Sequence, residues 1–75
     1  MNNKTKRDIR DKARLACGLA DILKYDADNL LTDSVDLESL YFVDTLIDTK
    51  ETLQNFVDTI TEIEYLLYLE KLKES

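Results

Sequence analysis

The sequence predicts an all-α protein, an antiparallel helical hairpin with a long second helix. Three observations predict it. Proline is absent and Gly18 is the only glycine among 75 residues, so the turn punctuation that sheets require is missing. Apolar residues recur at alternating steps of three and four along two long segments. Between those segments lies Thr32-Asp33-Ser34, a run of residues suited to starting a helix.

The first helix is expected over about residues 4–29. Ile9, Ala13, Ala16, Ala20, Leu23, Ala27 and Leu30 form an unbroken seam at helical spacing. Its alanines would let a partner helix approach toward the short end of the roughly 8–10 Å range of helix separations. Gly18 costs about 1 kcal/mol relative to alanine inside a helix, which a backbone packed against it would explain. Leu15, Leu19 and Ile22 make a second apolar row, so this helix is expected to bury more than one side.

A turn is expected over about residues 30–34, with Asp33 or Ser34 as the cap. Asp36 and Glu38 would then favour the first turn of the next helix through its dipole. That second helix is expected over about residues 35–73. Its seam reads Phe42, Leu46, Thr49, Leu53, Phe56, Ile60, Ile63 and Leu67, with Val43 and Val57 alongside. At 1.5 Å per residue the two helices would be about 39 and 57 Å long. The last dozen or so residues would overhang. Ile60, Ile63, Leu66, Leu67, Leu69 and Leu72 are therefore the expected dimer seam, closing a homodimeric four-helix bundle. The alternative is a break near Asp48-Thr49, where Asp48 and Glu51 fit a capping-box pattern, giving a monomeric three-helix bundle.

Length allows a single domain, residues 1–75. A chain this short buries only about 60% of its extended surface, so oligomerisation is a natural source of support. The one cysteine, Cys17, cannot form an internal disulfide, and histidine is absent. No nucleophile–base pair, phosphate loop or metal-ligand spacing is present, so neither an enzyme nor a cofactor is expected. Asp26, Asp28, Asp33, Asp36 and Glu38 resemble a calcium loop only superficially. Leu31 stands where such a loop needs glycine, and Leu37 where it needs glutamate. Cys17, among small residues, reads as packing. The absence of an apolar leader or span predicts a cytoplasmic, non-membrane protein.

Charge is unevenly distributed. Residues 1–24 carry seven Lys/Arg against three Asp, whereas residues 25–70 carry twelve Asp/Glu against Lys50 alone. Within the acidic part, Tyr41, Asp44, Asp48, Glu51, Asn55, Asp58, Glu62 and Tyr65 follow one another at steps of three and four. On a helix they share one face, at intervals of about 5–6 Å. Ordinary solvent faces mix signs, and like charges at i and i+4 cost a few tenths of a kcal/mol each. The pattern therefore marks a candidate partner-binding face, with Tyr41 and Tyr65 as bracketing aromatics. Tyr25 and Tyr68 are expected to pack at the helix junction and the tail. Lys4, Lys6, Arg7, Arg10, Lys12 and Arg14 read first as internal charge balance and second as a nucleic-acid contact.

In this respect the chain resembles the small acidic inhibitors of bacteriophages that act as DNA mimics. The resemblance is carried by Asp44, Asp48, Glu51, Asp58 and Glu62 within the acidic run from Asp26 to Glu70. It implies a blocker of a basic DNA-binding protein of the host, such as a sliding clamp or another replication, repair, transcription or CRISPR protein. Such a blocker competes with DNA, makes no direct nucleic-acid contact, and acts in the host cytoplasm. The other reading is a helical oligomerisation or adaptor module whose apolar C-terminal seam is the working surface.

Overall fold

A computed structural model describes residues 1–31 and 37–74. Two helices account for nearly all of them, α1 over Asn3–Leu30 (28 residues) and α2 over Leu40–Glu74 (35 residues). Asn2 caps α1, its side-chain oxygen accepting the Thr5 N–H at 2.8 Å. At the other end the Leu31 N–H closes onto the Asp28 carbonyl at 3.1 Å.

The second helix begins later than the spacing predicts. Ser39 supplies the cap, its Oγ accepting the Phe42 N–H at 3.2 Å while its carbonyl takes the Val43 N–H at 3.4 Å. Glu38 therefore precedes the cap instead of occupying the first turn. The expected caps Asp33 and Ser34, with Thr32 and Asp36, lie outside the described residues. From Leu40 the helix runs unbroken through Asp48-Thr49, so the break expected there in the three-helix alternative is not seen. The Thr49 hydroxyl does not start a new helix. It donates to the Thr45 carbonyl one turn back, at 2.7 Å.

Three side-chain contacts set the antiparallel register. Thr5 Oγ1 donates to Glu70 Oε1 at 3.0 Å, Lys12 Nζ meets Glu62 Oε2 at 2.6 Å, and Thr52 Oγ1 donates to Asp26 Oδ2 at 3.4 Å. The result is a rod of 55 × 16 × 13 Å. It has no long C-terminal overhang. Because α2 starts late, the first turn of α1 reaches Glu70, and the tail that was expected to stand alone is paired within the chain.

The surfaces that meet are not the two expected seams. On α1 the inward row is Thr5, Ile9, Lys12, Ala16, Leu19, Leu23, Asp26 and Leu30. On α2 it is Phe42, Thr45, Thr49, Thr52, Phe56, Thr59, Ile63, Leu66 and Glu70. Every second member of each expected seam is retained, and its neighbour one position along is displaced. Leu46, Leu53, Ile60 and Leu67 stay 40%, 46%, 37% and 41% exposed, and Thr45 and Thr59 are buried beside them. The two threonines can be buried because each hydroxyl donates to its own helix, Thr45 to the Tyr41 carbonyl and Thr59 to the Asn55 carbonyl. Ala16 is the one buried apolar residue among those described.

Two further sequence expectations fail for the same reason, that a lone pair of helices has little inside. Tyr25 and Tyr68 do not pack at the junction and tail, being 68% and 58% exposed. No backbone packs against Gly18: a methyl group there would meet nothing within 4 Å.

Candidate functional site

At about 100° per residue, the inward row of α2 divides the rest of that helix into two flanks. One carries the acidic stripe and the other an apolar stripe. They lie roughly 100° to either side of the line toward α1. The two sides of the hairpin therefore have opposite chemistry.

All eight members of the acidic stripe, Tyr41, Asp44, Asp48, Glu51, Asn55, Asp58, Glu62 and Tyr65, are exposed along one continuous helix. The stripe does not stand opposite α1, as the sequence seam would place it, but borders the groove between the helices. Asn55, Asp58 and Glu62 form one wall of that groove, and Leu15 and Leu19 of α1 the other. Its C-terminal half is internally engaged. Lys12 pairs with Glu62, and Gln54 Nε2 donates to Asp58 Oδ1 at 2.8 Å. Asp44, Asp48 and Glu51 make no ion pair among the described residues, so the N-terminal half carries the uncompensated charge. Tyr41 and Tyr65 are 63% and 60% exposed and frame the stripe, as their spacing predicts.

The opposite flank of α2 is apolar. Val43, Leu46, Leu53, Val57, Ile60 and Leu67 follow one another on it at helical spacing, interrupted by Lys50 and Glu64. Ala13, Cys17 and Ala20 of α1 continue this face across a groove floored by Ala16, Phe56 and Ile63. Cys17 is thus exposed at the groove and not packed, contrary to its sequence reading. The expected dimer seam is divided between two surfaces. Ile63 and Leu66 turn partly toward α1, Leu69 is half-buried on the side of the acidic stripe, and Ile60, Leu67 and Leu72 remain exposed. Sequence reasoning had the apolar stripe in view but assigned it to the inside of the hairpin.

The basic N-terminal segment serves the hairpin in part. Lys12 reaches across to Glu62, which is the internal balance expected of it. Arg14 pairs locally with Asp11 at 3.3 Å. Lys6, Arg7, Arg10 and Arg14 line a shallow hollow on α1. Among the described residues no cluster of His, Cys, Asp and Glu is placed to hold a metal ion, and no helix is long and apolar enough to cross a membrane.

No protein-family model, curated protein or solved structure matches this chain.

Proposed function

We propose that the acidic stripe is the working surface of a DNA mimic. In this reading the chain occupies the DNA-binding surface of a basic host protein and inhibits it by competing with DNA. Sliding clamps and other replication, repair, transcription or CRISPR proteins are the candidate class of target, and the bacterial cytoplasm is the setting. The reading includes a homodimer. One observation carries it: acidic and polar side chains stand exposed in file along an unbroken helix, with Lys50 the only cation between Tyr25 and Glu70. From Asp44 to Glu62 the file is about 27 Å long. Carboxylates in such a row would pair with the Lys and Arg side chains that otherwise hold phosphates.

A second reading is supported by the apolar flank. There the chain is an adaptor or oligomerisation module, and exposed Leu46, Leu53, Ile60 and Leu67 are its contact residues. Salt separates the two. Exposed charge pairing weakens strongly by about 0.5 M salt, whereas apolar docking persists.

The test is capture from bacterial lysate on the tagged full chain, with and without excess sheared duplex DNA. Mimicry requires a DNA-binding protein that is retained alone and displaced by the DNA. If every captured protein is indifferent to DNA, the mimic reading fails and the adaptor reading replaces it.

A further inference from the structure

The apolar flank of α2 is a continuous exposed row, with Val43, Leu46, Leu53, Val57, Ile60 and Leu67 each between 37% and 46% exposed. The chain exposes 6003 Å². A compact monomer of its mass would expose roughly 4,700 Å², leaving an excess of about 1,300 Å². Burying that excess from each of two chains gives an interface of roughly 2,600 Å², within the range of obligate homodimers.

We propose that this flank is the contact between two copies of the chain. In this arrangement α2 packs antiparallel on α2 of the partner subunit about a two-fold axis level with Val57. The surface rests on the homodimer of the reading above, and not on DNA mimicry. It replaces the C-terminal seam as the dimer contact, because Ile63 and Leu66 are already turned toward α1.

Charge selects the occupant and the register. Lys50 and Glu64 are the only charged residues in the stripe, and neither makes an ion pair among the described residues. They are opposite in sign, and each lies one heptad, about two helical turns, from Val57, one on either side. A two-fold contact is self-complementary: whatever residue i meets, its counterpart meets i. An antiparallel crossing at Val57 therefore brings Lys50 beside Glu64 of the partner subunit, twice. A parallel crossing would set like charge on like charge at both positions. Nothing in the stripe needs a foreign partner to complete it.

The neighbouring surface of α1 agrees in shape. Ala13, Cys17 and Ala20 are small, so the two copies of α1 can close beside the paired α2 helices into a four-helix bundle. The acidic stripes, on the opposite flank, would face outward on opposite sides of that bundle.

The test uses the full chain and three variants, Lys50→Glu, Glu64→Lys and the double exchange. Association is measured by sedimentation equilibrium, with helicity by circular dichroism. The wild type is expected to be a dimer. Each single reversal is expected to raise the dissociation constant at least about tenfold, and the double exchange to return it to near wild type. A cross-linking experiment covers the case in which single reversals fail to fold. In a Cys17→Ser background, an equal mixture of K50C and E64C chains should be joined by a short bis-maleimide. Neither chain alone should be, since like positions would lie roughly 21 Å apart along the axis. A helical monomer at all concentrations would overturn both this surface and the homodimer. A dimer indifferent to the exchange, with no mixed cross-link, would overturn this surface alone.

Discussion

Lys12 Nζ stands 2.6 Å from Glu62 Oε2, so the basic first helix answers the last carboxylate of the acidic stripe within the same chain. The pair has two consequences. It fixes the register of the hairpin near its C-terminal end, and it shifts the free negative charge of the stripe toward Asp44, Asp48 and Glu51.

The pair is partly solvated, with the two side chains 34% and 56% exposed, so its contribution to stability is small. Glu62→Gln is expected to cost about 0.2–1 kcal/mol at low salt. The cost should shrink toward zero near 1 M salt, where the screening length is about 3 Å. Thermal unfolding of both proteins at two salt concentrations measures this. A loss that does not depend on salt would mean that Glu62 acts through packing.

Neutralising Asp44, Asp48, Asp58 and Glu62 together, by Asn and Gln, should abolish capture of a DNA-binding partner. Helix content should be kept or slightly raised, because like-charge neighbours are removed. The single Glu62→Gln protein is the control for the hairpin pair. Capture that survives in the fourfold variant would sink the mimic reading.

Ala16 is buried at 5% exposure, against Phe56 and Ile63. Ala16→Leu should wedge the helices apart and cost about 1–3 kcal/mol. In a domain of this size that corresponds to a melting-point drop of roughly 4–8 °C per kcal/mol. A melting temperature equal to wild type would show that the helices do not meet at Ala16.

Gly18 lies mid-helix with open space around its Cα. Gly18→Ala should stabilise by about 0.5–1 kcal/mol, through the lower entropy of the unfolded chain. Denaturant titration at fixed protein concentration reads this directly. A destabilised variant would mean that something covers Gly18 in solution.

Ser39→Ala should cost about 1 kcal/mol, because Ser39 Oγ accepts the Phe42 N–H at the start of α2. An unchanged midpoint would place the effective cap elsewhere in the connection.

Much of the hairpin is legible in the sequence. The missing turn residues and the three-four spacing suffice for two helices, and the ends of α1 fall within one residue of expectation. The start of α2 is not legible, because Asp33, Ser34 and Ser39 are all competent caps and nothing local ranks them. The inward rows are misread for a different reason. Leu46 and Thr45, or Ala13 and Lys12, differ by one position, and adjacent columns fit the same periodicity. Apolarity favours the leucine column, yet the hairpin closes on the threonine column, where Thr5, Lys12 and Asp26 find partners across the groove. The exposed side of the acidic stripe survives the misreading, because it is exposed with either column turned inward.

The threonine-lined interface also bears on how the helices are held. Each helix has two neighbouring columns that share Ile9, Ala16, Leu23 and Leu30 on α1, and Phe42, Thr49, Phe56 and Ile63 on α2. Passing from one column to the other is a roll of roughly 50°, half the step between successive residues. The hydroxyls of Thr45, Thr49 and Thr59 offer no resistance, since they are tied to their own backbone and turn with it. The helices meet there like meshed gears with shallow teeth. What stops the gears from slipping is the set of polar latches at Thr5–Glu70, Lys12–Glu62 and Asp26–Thr52.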